Sequence, residues 1–408
     1  MTTTPAAQAE PILLAFSGGL DTSFCVPWLK ETYNRPVITV TVDTGGIDAD
    51  AARVLAERSV ELGAVAHHLV DARAAYWERV LRFLVIGNAR RGQMYPLCVG
   101  AERVLQAQTI ADLALKLGTG SVAHGCTAAG NDQVRFEVAL RTLAPSLDII
   151  APVRDRAFKR PEQLAFLEER KLPVPPYGAA YSVNRGLWGV TIGGRETLTS
   201  DGSIPEEAWV LSAQAFTAPR PALRLRLAFE HGVPVALDGR SLAPVALIEA
   251  LEAIGGPYGI GRGIHLGDTV IGTKGRVAYE APAAEILLCA HRELEKLVLT
   301  GRQIRVKDTV AGPYGDLVHE GQHLDPVCRD IEALLLSSQA RVTGEVALLL
   351  RPGSLFVEGV TSPYSLMKVS RGVYGEAAGE WSPADALGYS KMLALPGMFH
   401  ARAGQVKP

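Results

Sequence analysis

The sequence contains few cysteines, and the five present among its 408 residues are scattered singly. No two of them have Cys-x-x-Cys spacing, and none stands at a zinc-site distance from histidines. This pattern argues against a disulfide framework and against a structural zinc site. We interpret the five cysteines as buried apolar residues with reduced thiols.

Long apolar runs are also missing, since no stretch of about 18 apolar residues occurs in the sequence. The leader MTTTPAAQAE contains no basic residue and no apolar stretch of signal-peptide length. We therefore expect no transmembrane helix and no membrane partner, and we expect a cytoplasmic protein.

The chain has no excess of charge of either sign. Lysine and arginine number 41 against 43 aspartates and glutamates, for a formal net charge of -2. Such a balance gives no long-range attraction to nucleic acid, so no nucleic-acid partner is expected, and an anionic ligand must be bound by a local site. The composition, 48% hydrophobic and 21% charged, is typical of a globular protein, and the length favours two domains.

Apolar, strand-like runs alternate with helical patterns in the first third of the sequence. The strand-like runs are ILLAF, PVITVTVDTGG, AVAHHLVDA, SVAHG and LDIIAPV. This alternation predicts the α/β class, with a doubly wound parallel sheet whose ligands bind at the carboxyl ends of the strands.

A proline-rich stretch near residues 172–178 predicts a domain boundary. The mixture of helices and alternating strands beyond it predicts an α+β domain, in which Pro352 and Gly353 form a hairpin turn. We expect a first domain over residues 1–175, a second over 176–362, and a C-terminal extension over 363–408 that packs on another subunit.

The loop after the first strand, Ser17–Ser23, reads SGGLDTS. Its two glycines permit positive φ and leave backbone N–H groups uncovered, and the apolar residues that follow predict a helix capped by Asp21, Thr22 or Ser23. A strand, a glycine turn and a helix start together form an anion site. Because the loop has no lysine, unlike a Walker loop, Mg²⁺ and cations from elsewhere must neutralise a bound phosphate.

One possible source of that positive charge is the basic run Arg154, Arg156, Lys159 and Arg160. These side chains can face the phosphates of a nucleotide, but a basic run is more often a solvated surface. We therefore interpret this run as exposed surface.

A second polar cluster, HGCTAAGNDQVRFE, covers residues 124–137 and also follows a predicted strand. Asp132 can bind an ammonium group, whereas Thr127, Asn131 and Arg135 can donate hydrogen bonds to carboxylates. This set of groups suits a zwitterionic amino acid. Its position on the same sheet edge as Ser17–Ser23 predicts one shared site.

The Ser17–Ser23 loop resembles the PP-loop of the ATP pyrophosphatase superfamily, which cleaves ATP between its α and β phosphates to adenylate a substrate. The combination of this loop with GNDQVRFE is similar to the argininosuccinate synthase family. Two further stretches occur in that family's order and at similar separations, namely YSVNRGLWGVTIGG and GIGRGIHLGDTVIGTKGRVAYEAP. Two later segments, DIEALLLSSQARVTGEV and SPYSLM, also resemble the family. The resemblance thus covers nearly the whole chain.

This resemblance implies an ATP-dependent carbon–nitrogen ligase of arginine biosynthesis that forms a homotetramer. The ureido oxygen of citrulline attacks the α-phosphorus of ATP to give citrullyl-AMP and pyrophosphate, and the amine of aspartate then displaces AMP to give argininosuccinate. It implies a nucleotide-binding first domain, a second synthetase domain that completes the substrate site, and Mg²⁺ held with the ATP phosphates rather than in a dedicated protein site.

Site residues follow from the resemblance position by position. ATP is expected to contact Ala15, Phe16, Ser17, Gly18, Gly19, Leu20, Asp21, Thr22, Ser23, Val42 and Gly125. Aspartate is expected to contact Thr127, Asn131 and Asp132. Citrulline is expected to contact Tyr95, Asn131, Arg135, Ser182, Thr191, Asp268 and Tyr279.

The sequence departs from the family pattern at three places. Many members have Gly-Lys where this chain has Ala128 and Ala129, and a serine that contacts citrulline where it has Gly100. Many also have a glutamate where it has Gly267, a contact that Asp268 can make with a shorter reach. Two alternatives stay open: a PP-loop ligase for another ureido or amide acceptor, and a catalytically silent homologue that binds nucleotide or amino acids.

Overall fold

A computed structural model describes residues 9–176, 180–217, 220–370 and 380–405. The first region contains a five-stranded parallel sheet in the order β3-β2-β1-β4-β5. Its strands are β1 (Ile12–Ala15), β2 (Val37–Asp43), β3 (Ala66–Asp71), β4 (Ser121–Ala123) and β5 (Asp148–Ile150). The strand order reverses between β1 and β4, so the crevice beyond their carboxyl ends is the topological switch point. The predicted doubly wound α/β sheet is confirmed.

Helices cover both faces of this sheet. They are α1 (Leu20–Tyr33), α2 (Ala49–Glu61), α3 (Arg73–Tyr76), α4 (Arg82–Gly87), α5 (Arg103–Leu117), α6 (Asn131–Leu143), α7 (Pro152–Asp155) and α8 (Arg160–Glu169), with a π-helical turn Trp77–Leu81 between α3 and α4. Successive residues of β1 enter different cores, since Leu13 packs with α5 and α6 whereas Ile12 and Leu14 pack with α1 and α8. All three are fully buried, which stabilises the fold by about 1.5–3 kcal/mol for each side chain.

The second region contains two antiparallel sheets, ordered β10-β9-β8-β13-β14 and β11-β12-β7-β6. Their strands are β6 (Ser182–Gly186), β7 (Gly189–Gly193), β8 (Leu223–Glu230), β9 (Val233–Leu237), β10 (Arg240–Ser241), β11 (Arg262–Asp268), β12 (Lys274–Glu280), β13 (Gly344–Arg351) and β14 (Ser354–Thr361). The helices are α9 (Pro244–Gly255), α10 (Pro282–Val298), α11 (Gly301–His319) and α12 (Pro326–Ser338). The predicted α+β character and the turn at Pro352 and Gly353 are confirmed.

The β6–β7 hairpin brings the second region against the carboxyl end of β2. Leu187 N donates to Thr44 O at 2.9 Å, and Trp188 Nε1 donates to Pro96 O at 2.8 Å. Gly45 has a φ of 110°, and a Cβ there would overlap the backbone nitrogen of Leu187. Glycine is therefore required at residue 45 for this close approach.

The C-terminal part contains α13 (Leu366–Val369) and α14 (Pro383–Ala403). Helix α14 has 21 residues, and none of them is buried. Its exposed apolar side chains include Leu387, Tyr389, Met392, Leu393 and Phe399. Neither α14 nor any other helix in the described part of the chain combines the length and apolarity needed to cross a bilayer.

Candidate nucleotide and amino-acid site

A cavity of about 930 Å³ opens at the carboxyl end of the parallel sheet. The loop after β1, the end of β2, the start of α5 and the segment after β4 line its first-region side. Residues of β6 line the opposite side, so both regions of the molecule contribute to one cavity. Its position is the one expected for a ligand of a doubly wound sheet.

The glycine loop turns sharply at Gly18, where φ is 72°. Helix α1 begins at Leu20 with Gly19 as its N-cap and has no side-chain cap, so the predicted capping by Asp21, Thr22 or Ser23 is wrong. Thr22 Oγ1 instead donates to Gly19 O at 3.2 Å, and Asp21 Oδ1 accepts from Gln163 Nε2 at 2.8 Å. Because no side chain caps the first turn of α1, its N–H groups can bind an anion.

Cations reach this loop from other elements. Arg58 Nη1 donates to Gly18 O at 2.8 Å, and Arg160 lines the cavity at the start of α8. The interpretation of the basic run as plain surface therefore needs a correction at Arg160, which is exposed but faces the cavity. Arg154 pairs with Glu137 at 2.7 Å, whereas Arg156 and Lys159 are exposed.

A chain of buried charges adjoins the loop. Arg103 Nε donates to Asp132 Oδ2 at 3.0 Å, and Arg135 Nη1 donates to Asp132 Oδ1 at 2.7 Å. Burial alone would raise the pKa of Asp132, but the two guanidinium groups outweigh it and lower that pKa to about 2. Asp132 is therefore a fixed negative charge at neutral pH.

A group of aromatic and histidine rings packs close to Arg135. Tyr95 stacks on His265 and meets Tyr279 edge-on, with ring centroids 5.2 Å apart in both cases. Arg135 Nε donates to His319 O at 2.6 Å, and the His319 ring meets Tyr95 edge-on at 6.1 Å. Tyr95, Tyr279 and Arg135 are all buried by these contacts.

The remaining predicted site residues lie on the second region or at its border. Asn131 Oδ1 accepts from Val270 N at 2.9 Å, which ties the start of α6 to the β11–β12 turn. Thr191 on β7 lies opposite Tyr279 on β12 in the sheet register. The side chain of Asp268 is 56% exposed and pairs with Lys274.

The cavity gathers many of the predicted site residues but not all of them. Those that line it are Ala15, Phe16, Ser17, Gly19, Leu20, Asp21, Thr22, Val42, Gly125, Asp132 and Ser182. Gly18 and Ser23 belong to the same loop, Asn131 immediately precedes Asp132, and Thr127 is exposed in the loop before α6. Tyr95, Arg135, Thr191, Asp268 and Tyr279 do not line the cavity in this conformation.

Two of the departures from the family pattern have a steric explanation. A Cβ at Gly100 would lie 3.2 Å from Arg135 Nη2, and a Cβ at Gly267 would lie 2.6 Å from His265 Nε2. Arg135 and His265 thus occupy the space that larger side chains at these positions would need. Ala128 and Ala129 lie in an exposed loop.

Sequence reasoning missed several polar residues that line the cavity. Glu102, Arg103 and Gln106 lie at the start of α5, and Thr44 and His124 follow β2 and β4. His124 follows a predicted strand within an identified motif, so its position could have been inferred. No such signal marks Glu102 and Arg103, because they follow a long loop instead of a strand.

Comparisons with known proteins agree along the chain. Family models match for the arginosuccinate synthase N-terminal HUP domain over residues 11–173 and the arginosuccinate synthase C-terminal domain over residues 181–400. A protein named argininosuccinate synthase from Xanthomonas campestris pv. campestris is 40% identical, and the alignment covers 98% of this chain and 100% of that protein. Proteins of the same name from Xylella fastidiosa and Pyrobaculum aerophilum are 40% and 38% identical, covering 97% and 95% of this chain and 98% and 97% of their own.

Proposed function

The chain belongs to the argininosuccinate synthase family, a family of ligases, and we propose that it joins L-citrulline and L-aspartate at the expense of ATP. The products are argininosuccinate, AMP and pyrophosphate, and the intermediate is citrullyl-AMP. One observation carries this proposal: a single cavity of about 930 Å³ is lined both by the glycine loop and by the Arg103–Asp132 ion pair. A nucleotide and an amino acid can therefore meet there.

The glycine loop suits the departing pyrophosphate. Uncapped N–H groups at the start of α1 and the hydroxyls of Ser17 and Thr22 can donate to phosphate oxygens. Arg160 can add positive charge from the cavity wall. Val42 and Gly125 line the same cavity and are proposed to contact the adenosine.

Mg²⁺ is proposed to arrive with the ATP phosphates. The described residues contain no cluster of three or more histidine, cysteine, aspartate or glutamate side chains able to cage a metal ion. Asp21, within the loop, offers one carboxylate, and one or two carboxylates plus phosphate oxygens suit Mg²⁺. When bound, the ion would neutralise charge on the phosphates.

The chemistry asks the protein mainly to position reactants. A ureido oxygen is a weak nucleophile and, without activation, a poor leaving group. Adenylation converts it into a good leaving group. Arg103 and the N-terminus of α1 can stabilise the charge that develops on phosphate and acyl oxygens. This route needs no nucleophilic serine or cysteine.

The amino acids are proposed to bind on either side of Asp132 and Arg135. Aspartate is assigned to Thr127, Asn131 and Asp132. Citrulline is assigned to Tyr95, Asn131, Arg135, Ser182, Thr191, Asp268 and Tyr279. Arg135 Nε donates a hydrogen bond to the backbone oxygen of His319. To bind Arg135, the carboxylate of citrulline would have to replace that contact.

We also propose the larger organisation that the family implies. Residues 1–175 form the nucleotide-binding domain, 176–362 the synthetase domain and 363–408 an extension. The exposed apolar residues of α14 favour packing on another subunit in a homotetramer. A cytoplasmic location fits reduced thiols, and the five cysteines are all unpaired, three of them buried.

Pyrophosphate release tests this function. With ATP, citrulline and aspartate, we expect equal amounts of pyrophosphate and AMP, measured by a coupled phosphate assay and by chromatography. If citrulline is inactive and another ureido compound releases pyrophosphate, the chain is a ligase for a different acceptor. If no acceptor yields AMP, the chain is a silent homologue.

A further inference from the structure

Glu102 is a buried carboxylate in the cavity wall. Glu102 is the last residue of the 3₁₀ turn Gly100–Glu102 and is only 2% exposed. It lines the cavity beside Arg103. Its Oε1 accepts from Arg103 Nη1 at 2.8 Å and from Gln106 Nε2 at 3.4 Å. Its Oε2 has no hydrogen-bond partner within the described residues. A buried carboxylate oxygen left without a partner is costly, which points to a ligand group that completes it.

The backbone of the second region lies against this same oxygen. A Cβ at Gly186, the last residue of β6, would overlap Glu102 Oε2, so a larger residue there would have to displace this carboxylate. The β6 backbone therefore shields Oε2 on one side. Because Glu102 also lines the cavity, a group bound there can approach this carboxylate.

Glu102 and Asp132 share one guanidinium but differ in their freedom to react. Arg103 bonds to both carboxylates, so the two groups face the same part of the cavity. Each oxygen of Asp132 accepts from an arginine, whereas only one oxygen of Glu102 does. Asp132 is thus suited to anchor an ammonium group, and Glu102 has an oxygen available for a proton.

We propose that Glu102 accepts the proton that the attacking amine of the second amino-acid substrate must lose. This inference rests on the proposed function. The α-ammonium of aspartate transfers one proton to Glu102 Oε2, and the nitrogen lone pair then forms a C–N bond to the ureido carbon. The bond from that carbon to the AMP oxygen breaks and its electron pair stays on AMP, whose phosphate takes the second proton of the nitrogen.

The ionisation of the two carboxylates agrees with this division of roles. Burial raises the pKa of Glu102 to about 7, although Arg103 opposes the shift. A group with a pKa near the working pH exchanges protons efficiently, whereas Asp132, with a pKa of about 2, does not. The titratable and charged groups that face Glu102 are Arg103 on α5, Asp132 on α6, Tyr76 on α3 and Cys98 in the preceding loop.

The test separates the two half-reactions of the whole protein. Without aspartate, rapid quench measures citrulline-dependent pyrophosphate release in a single turnover. After aspartate is added, it measures AMP release. We expect Glu102→Gln to keep the first rate within about threefold and to slow the second by about 10²–10⁴-fold, as for loss of a general base.

The pH profile is the second readout. In the wild type the second step should lose rate as pH falls below about 7, because a protonated Glu102 cannot accept a proton. Glu102→Gln should lack this inflection, and Glu102→Asp should keep it at a reduced rate. Glu332→Gln is the matched control, since Glu332 is a buried carboxylate that accepts from Tyr314 outside this cavity, and it should change neither step.

The outcomes are distinct. An unchanged second step in Glu102→Gln, or equal loss of both steps, overturns the role of Glu102 while wild-type turnover still supports the proposed function. If the wild type itself releases no citrulline-dependent pyrophosphate, the proposed function fails and the role of Glu102 fails with it.

Discussion

The molecule contains two networks of charged side chains in different surroundings. One lies beside the cavity, and the other is enclosed among helices. The enclosed network centres on Lys307 of α11 and Glu295 of α10, whose Nζ and Oε1 atoms lie 2.6 Å apart at 1% and 0% side-chain exposure. Its other members are Ile86, Asn88, His291 and Gln339. Both oxygens of Glu295 accept hydrogen bonds, from Asn88 and Gln339.

The cavity network is incomplete, because not every carboxylate oxygen in it accepts a hydrogen bond. Arg103 and Arg135 are 12% and 6% exposed, but Asp132 is 36% exposed and Glu102 has one oxygen unpartnered in the described structure. A fully paired network contributes to a unique fold, whereas a half-satisfied one costs stability. We infer that bound ligands, in addition to the protein, complete the cavity network. Substitutions should therefore act on activity in one network and on folding in the other.

Asp132→Ala should have the largest effect on activity. Truncating one partner of a hydrogen-bonded charge pair costs about 2–5 kcal/mol, so kcat/KM for aspartate should fall by roughly 30- to 5,000-fold. ATP binding, measured by calorimetry, should stay largely intact, because the glycine loop keeps its geometry. Water in the cavity can solvate Arg103 and Arg135, so stability should change little.

The contrary result for Asp132→Ala is equal loss of ATP binding and aspartate-dependent turnover. That outcome would mean that Asp132 maintains the whole cavity instead of binding aspartate. Asp155→Ala serves as the control, since Asp155 pairs with Arg154 at the surface.

Lys307→Met should have the largest effect on folding. It leaves the buried charge of Glu295 with Arg292, 4.0 Å from its Oε2, as the remaining cationic partner, and breaking such a buried pair costs about 3–5 kcal/mol in the free energy of unfolding. The urea midpoint should fall sharply, whereas kcat per folded molecule should not change. The double variant Lys307→Met with Glu295→Gln should recover most of the loss, because it removes both charges and retains a hydrogen-bonding side chain at residue 295. A single variant as stable as the wild type would refute the contrast between the networks.

Much of the first region could be predicted because its signals are local. The apolar run of β1 and the glycines that follow act within a few residues, so both the sheet and the loop were expected. The helix cap was mispredicted, because Asp21 accepts from the distant Gln163 and the Thr22 hydroxyl donates to Gly19 O, so neither accepts from an N–H of the first turn. The choice between a cap and a tertiary partner is not visible in the local sequence.

The cavity network depends on long-range contacts and was only partly predictable. Arg135 bonds to His319, which lies 184 residues further along the chain. Glu102 lies against Gly186, the last residue of β6 in the second region. Such pairs arise only when the two regions pack together, so residue type and spacing cannot reveal them. Asp132 was found because it lies in a recognisable polar motif after a strand.

Glu102→Gln should have the smallest effect on the free energy of unfolding, and it should stabilise the fold where Lys307→Met destabilises it. The pKa of Glu102 is raised from 4.5 to about 7, so the folded state binds the extra proton and loses stability as pH rises from about 4.5 through 7. Glutamine removes this dependence. The difference in free energy of unfolding between the variant and the wild type should therefore increase by about 1–3 kcal/mol between pH 5 and pH 8, since one pKa unit corresponds to about 1.36 kcal/mol. Urea unfolding at the two pH values measures this gain. If the gain is absent, the carboxylate does not strain the fold, and the two networks differ less than their geometry indicates.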